Sequence, residues 1–158
     1  MELKYRTGLG FDIHRLVEGR DLILGGIKID YPKGLDGHSD ADVLTHSVID
    51  GILGALALTD IGTHFPDTDE KYKNADSIKL LSHVVDMMEE YGYEIANIDA
   101  NVITEEPKLR PYIDDIRHNL ANTLKTSISQ ISIKAKTMET LGPEGIIAQC
   151  LVMLIKQN

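Results

Sequence analysis

The chain has 158 residues, enough for one hydrophobic core that buries roughly 70% of the unfolded surface and too few for two comfortable domains. It carries 25 acidic against 16 basic residues, a net charge of −9, with no run of Lys and Arg, which argues against a nucleic-acid or anionic-membrane surface. The single Cys150 lies in the apolar run 146–155 and reads as a buried, reduced thiol, so no disulfide framework is possible within the chain.

In chain order, residues 2–13 are predicted as a first strand. Met1 to Tyr5 lack the basic and apolar regions of a secretory signal, and no uninterrupted apolar stretch reaches about 18 residues, so a cytoplasmic protein is expected. Leu22 to Ile29 form two short apolar runs around Gly25-Gly26, a hairpin signal, and Gly34 and Gly37 mark a loop. From Ser39 to Leu58 the positions Val43, Leu44, Ile49, Ile52, Leu53 and Leu56 recur at helical spacing, with Ser39 or Asp40 as the cap and His46 an exposed side chain two turns in. Asp60 to Asp69 read as a polar loop, followed by a helix from Asp76 to Tyr91 that stops at Gly92. A strand over Glu94 to Thr104, a loop at Pro107 and Pro111 and a helix from Tyr112 to Leu124 come next. Ile131 to Ala135 alternates as a strand, Met138 to Gly145 turns, and Ile146 to Ile155 is the last strand. This order predicts one domain over 1–158, an α/β (α+β) sandwich with a mixed four-stranded sheet, a small hairpin and helices on one face. The other face then needs a partner, and self-association would cover it.

Residues able to do chemistry concentrate in Gly10-Phe11-Asp12-Ile13-His14-Arg15 and in the segment from Gly37 to His46. On a strand Asp12 and His14 leave the same face, while His38, Asp42 and His46 repeat every four residues along a helical stripe. Imidazoles and carboxylates can thus meet at one point, and three N/O donors without a thiolate suit a zinc site with an open fourth position. The competing reading is helix capping plus exposed polar residues. His64, His83 and His118 stand alone and read as surface or packing residues. Asp67 and Asp69 either position a substrate group or make an Asx-type turn. Lys136-Thr137-Met138-Glu139 offers a pyrophosphate its cation, hydroxyl and Mg²⁺ ligand, or simply ends a strand. The nucleophile candidates Ser39 and Cys150 have no base partner in the sequence, so covalent catalysis has little support.

Several segments together resemble the 2-C-methyl-D-erythritol 2,4-cyclodiphosphate synthases: Gly10 to His14, His38-Ser39-Asp40 to His46, Asp60-Ile61-Gly62 with Phe65-Pro66-Asp67-Thr68-Asp69, Pro107-Lys108, and Lys134 to Gly142. The match runs from Gly8 almost to the C-terminus. It implies a homotrimer whose sheets face a central axis, with active sites between subunits. It also implies an intramolecular phosphoryl transfer in the non-mevalonate isoprenoid pathway, in which the 2-phosphate of 4-diphosphocytidyl-2-C-methyl-D-erythritol 2-phosphate displaces CMP. By this resemblance Asp12, His14 and His46 hold one Zn²⁺ per subunit, whose open position takes the 2-phosphate, and Glu139 holds Mg²⁺ or Mn²⁺. His38 and Thr137 match positions that stabilise the pentavalent transition state, and His38 with the Ser39 backbone meets phosphate oxygens. Asp60, Ile61 and Gly62 match substrate contacts, with Phe65, Pro66, Asp67, Thr68 and Asp69 on the erythritol side. Thr104, Glu105, Glu106, Pro107, Lys108, Leu109 and Arg110, with Ala135, Lys136 and Met138, match the cytidine and diphosphate pocket of the neighbouring subunit.

Two departures stand out. Lys136 replaces a common Thr, exchanging a hydroxyl contact for a charge on phosphate. The turn 141–145 is shorter than the commoner version and lacks its Arg, so the resemblance does not carry isoprenoid-diphosphate binding in the trimer cavity to this chain. The alternatives are a mononuclear zinc phosphohydrolase on the same centre and a non-catalytic isoprenoid-diphosphate binding trimer. Neither a nucleic acid nor a membrane is an expected partner.

Overall fold

The computed structural model describes residues 3–158. Strand β1 (Tyr5–Glu18) extends past the predicted end at Ile13, because its tail pairs with a short edge strand. The start expected at Glu2 lies outside the described residues. β2 (Leu22–Leu24) and β3 (Ile27–Ile29) make the predicted hairpin, with Gly25 and Gly26 at φ of 57° and 74°, the left-handed backbone that tight hairpin turns take up. The edge strand β4 (Lys33–Leu35) occupies part of the stretch read as a loop around Gly34. Helix α1 (Val43–Ala55) follows, then a single turn, α2 (Ile61–His64), inside the polar loop, and α3 (Ser77–Glu90). The chain ends with β5 (Tyr93–Ile103), α4 (Ile113–Thr123), β6 (Ile131–Lys136) and β7 (Gly145–Lys156).

The main sheet runs β4-β1-β7-β5-β6, with β5 and β6 parallel and the other pairs antiparallel. The α+β sandwich with a mixed sheet is as expected, but the sheet has five strands rather than four. The extra one, Lys-Gly-Leu, is too short to display an alternating pattern, and its partners Leu16 to Glu18 come from the far end of β1.

Two glycines set the distance between α1 and the sheet. A Cβ on Gly8 would stand 1.9 Å from the Gly51 carbonyl oxygen, and one on Gly10 1.7 Å from that of Ser47, so only glycine lets the helix lie this close on β1. Asp12 and His14 continue the same face of β1 and therefore point at the N-terminal turn of α1. The core fills with Leu44, Ile49, Ile52 and Leu53 of α1, Leu81, Val84 and Met88 of α3, and Ile116 and Leu120 of α4, packed on Ile98, Ala100, Val102, Ala148 and Val152 of the sheet. Cys150 is buried among them, as expected, and burial pushes its thiol up to about 12. Among the described residues no helix packs on the opposite sheet face. There Leu9 is 65% exposed, Phe11 53%, Ile13 47% and Leu151 51%, and Leu9 pairs directly with Leu151. Among the described residues no helix is long and apolar enough to cross a membrane.

Candidate metal centre and active site

The helix that carries His46 starts later than predicted. Ser39 and Asp40 spend their side chains on the local N–H groups of Ala41 (3.2 Å) and Asp42 (3.1 Å), and Ala41 sits at φ 55°. The cap is Asp42, which accepts from Thr45 N–H at 3.0 Å and from the hairpin N–H groups of Gly25 (2.9 Å) and Gly26 (2.7 Å). Asp42 is fully buried and faces away from the site, so the expected His38/Asp42/His46 stripe does not exist. Burial pushes its carboxyl up despite those donors. His38 reaches the site from the loop, and His46 lies one turn into α1. His46 is also only 8% exposed, not a surface ligand, because Asp12, Ser39 and Ser77 close around it.

Asp12, His14 and His46 do converge. Asp12 Oδ2 is 3.1 Å from His14 Nε2 and 3.0 Å from His46 Nδ1, and one ligand atom from each residue lies within 4.8 Å of the others. His14 Nδ1 donates to the Asp36 carbonyl at 2.6 Å, which turns Nε2 toward Asp12. Burial would raise the Asp12 carboxyl, but hydrogen bonds and charge from His14 and His46 outweigh it and hold the group at about 2. His14 is raised, chiefly by its hydrogen bond to Asp12, with burial opposing. An ionised carboxylate and two imidazoles, with no thiolate, form a donor set that fits Zn²⁺ with one position open.

This centre lies in a cleft of about 230 Å³. His38, Ser39, Ile61, Gly62, Phe65 and Asp67 line it, together with Tyr72 and Leu80, which sequence reasoning did not find. Four expected residues do not line it. Asp60 caps α2 through Thr63 N–H at 3.0 Å, Asp69 takes the Asx-type turn through Lys71 N–H at 3.1 Å, and Pro66 and exposed Thr68 shape the bend between them. A second cleft of about 160 Å³ gathers Thr104, Glu105, Pro107, Lys108, Leu109, Arg110, Ala135, Lys136 and Thr137. Glu106 pairs with Lys108 at 3.8 Å instead of lining it, and Met138 is packed inward. Glu139 accepts from the Thr137 hydroxyl at 2.7 Å and is not part of the metal triad. Glu139 and Thr140 sit at φ 51° and 61°, a strained pair of left-handed residues of the kind found at ligand-binding turns.

The two clefts are apart within one chain. His14 on β1 pairs with Ile146 on β7, and Ile103 on β5 pairs with both Ile147 and Lys136. Two strands therefore separate β1 from β6, a gap of about 14 Å at the usual strand spacing.

Other residues that hold the site escaped the sequence reading. Asp50 accepts from Ile61 N–H at 2.8 Å and ties α2 to α1, and its place one turn after His46 was a signal that could have found it. Arg20 clamps the carbonyls of Gly37 (2.9 Å) and Ser39 (2.6 Å), and Asp40 and Ser77 stand behind His46; these contacts are long-range and left no local pattern. His64 and His83 pack on Phe65, and His118 bonds the Asp114 carbonyl at the surface, as expected of isolated histidines.

Residues 5–155 match the YgbB family. A 2-C-methyl-D-erythritol 2,4-cyclodiphosphate synthase of Clostridioides difficile is 55% identical over 159 residues, covering 97% of this chain and 99% of its own. The bifunctional IspDF of Campylobacter jejuni superposes with a TM-score of 0.94 at 42% identity, over 99% of this chain and 44% of that one. An IspF of Plasmodium falciparum in complex with CDP superposes with a TM-score of 0.87 at 36% identity, over the full length of both chains.

Proposed function

This chain belongs to the YgbB family, and from that membership and its site we infer that it converts 4-diphosphocytidyl-2-C-methyl-D-erythritol 2-phosphate to 2-C-methyl-D-erythritol 2,4-cyclodiphosphate and CMP. An oxygen of the 2-phosphate attacks the diphosphate phosphorus nearer the erythritol. The bond from that phosphorus to the bridging oxygen breaks, and CMP leaves with the electron pair. Both reacting groups are anions on one molecule, so the barrier is charge repulsion plus ring closure, which positioning and electrostatics lower. The observation that carries the reading is the convergence of Asp12, His14 and His46 in a cleft walled by Ile61, Gly62, Phe65 and Asp67.

Asp12, His14 and His46 would hold Zn²⁺ and Glu139 Mg²⁺ or Mn²⁺; bound there, the ions supply positive charge and open coordination positions for phosphate oxygens. His38 in the first cleft and Thr137 in the second can each donate to a phosphoryl oxygen as charge builds on it. Asp67 offers its carboxylate to erythritol hydroxyls, while Lys108, Arg110 and Lys136 give the second cleft a positive rim suited to a nucleoside diphosphate. His38 and Thr137 belong to different clefts of one chain. That separation supports an active site made between two chains, the cytidine side coming from the neighbour. The bare apolar sheet face supports a cyclic homotrimer closed through it. The single core supports one domain over 1–158, and the buried thiol supports a cytoplasmic setting. CMP release tests the metal requirement: zinc-stripped protein should lose nearly all turnover and regain it with one equivalent of zinc, whereas full turnover after stripping would refute the reading.

A further inference from the structure

Behind the metal triad stand two residues that no role above uses, Asp40 and Ser77. Ser77, the first residue of α3, is fully buried, with its Oγ 2.7 Å from His46 Nε2 and also hydrogen-bonded to Asp40 Oδ1. A hydroxyl has one proton to give, and a carboxylate can only accept. The Ser77 proton is therefore committed to Asp40, and its oxygen is left as an acceptor toward His46. Asp12 Oδ2 likewise only accepts, 3.0 Å from His46 Nδ1; with a cation in place of the Nδ1 proton, the proton left on the ring would be the one on Nε2, directed at the Ser77 oxygen. Asp40 is itself fixed, accepting from Ser77 N–H at 2.9 Å and Asp42 N–H at 3.1 Å while its own N–H donates to the Ala75 carbonyl at 3.1 Å.

His14 reaches the same condition by a shorter route, its Nδ1–H spent on the Asp36 carbonyl. Protons between these two nitrogens, His14 Nε2 and His46 Nδ1, and the Asp12 carboxylate hold the three groups together, and a cation would take their place.

We propose that Asp40 and Ser77 are positioning residues for the metal: the path Asp40–Ser77–His46 selects the His46 tautomer and aims Nδ1 into the centre. The proposal rests on the metal reading above. One consequence concerns Ser39, whose Oγ lies 3.2 Å from His46 Nε2. With a metal on Nδ1, Nε2 would carry the proton, so His46 could not act as a base for Ser39 and the approach of the two side chains would create no nucleophile. Loss of a hydrogen bond to the far nitrogen of a ligating histidine lowers metal affinity by about 10- to 100-fold.

The test uses zinc alone as the probe. Competition against a chromophoric chelator gives the zinc dissociation constant, and long-range ¹⁵N–¹H NMR of zinc-loaded protein reports which His46 nitrogen carries hydrogen. The parent should bind one zinc per chain with hydrogen on Nε2; failure of the parent to bind zinc would sink the metal reading itself, whatever the variants do. Ser77→Ala, checked for fold by circular dichroism, should weaken zinc binding about 10- to 100-fold, and Ser77→Thr, which keeps the hydroxyl, should recover most of that loss. Asp40→Asn should also weaken binding, because an amide can donate to Ser77 and free its hydroxyl proton to turn toward His46. Parent-like zinc affinity in a folded Ser77→Ala or Asp40→Asn variant would overturn the proposal. So would a parent spectrum with zinc on Nε2, a result that needs no variant to fold.

Discussion

In the proposed site His46 would serve the fold and the metal at once. Its ring is buried between Asp12 and Ser77, so His46→Ala should abolish zinc binding and also leave the buried Ser77 hydroxyl short of a partner, at a cost of about 1–3 kcal/mol. Elemental analysis and the urea midpoint check both effects, and stoichiometric zinc in the variant would remove His46 from the ligand set. Asp12 and His14 together set a pH response in zinc-free protein. The Asp12 carboxyl, held at about 2 against 3.8, contributes stability above 3.8 that is lost as pH falls toward 2. His14, raised above 6.5, contributes stability below 6.5 that is lost as pH rises through its folded value. The pair's stabilisation should therefore be greatest between pH 3.8 and 6.5, whereas zinc, which competes with the His14 proton, should bind more weakly as pH falls. Thermal melts and zinc titrations across pH 3 to 8 check the two trends, and a flat profile in both would contradict the assignment. At this scale the sequence was legible where spacing is local. Asp12 and His14 lie two apart on one strand, but Asp42, four residues from His46, failed the same logic because it left the helix to cap it. Asp40 and Ser77 are joined only by the fold.

Among the elements, α1 and β1 form the pair that builds the centre, and their contact depends on the absence of side chains at Gly8 and Gly10. Gly10→Ala would place a Cβ against the Ser47 carbonyl, a backbone atom that cannot swing away, so α1 must lift from β1 and carry His46 from Asp12. The expected result is destabilisation by at least about 1–3 kcal/mol together with weakened zinc binding. A variant with parent stability and parent zinc affinity would show that the close approach does not set the triad. The long periodic elements were readable: α3, α4, β5 and β7 fall within a residue or two of their predicted bounds. β4 and α2 were not. Three residues with a central glycine carry no period, and the single turn of α2 is made by the Asp60 cap and the Asp50 carboxylate, not by an apolar stripe.

On the scale of the whole molecule, the sheet has one bare apolar face and the two clefts lie on strands about 14 Å apart, and the proposed function joins both features in a homotrimer. Chains inactivated by Asp12→Ala, mixed after dissociation with chains inactivated in the Thr104 to Arg110 cleft, should regain activity. In random trimers of an equal mixture about a quarter of the interfaces would combine intact halves. No recovery from demonstrably mixed trimers would mean that each site is built within one chain. The α+β class was legible from element order, and the uncovered face followed from helices on one side; which surface covers it was not, because alternation identifies an apolar face but not its partner. On the proposed function the triad directs a phosphate of the substrate onto its own diphosphate and not a water. Phosphorus NMR of the products of zinc-loaded protein with the cytidylyl substrate tests it most directly. CMP and a cyclic diphosphate should form in equal amounts, whereas CMP with an open-chain bisphosphate would refute the cyclisation and identify a zinc phosphohydrolase.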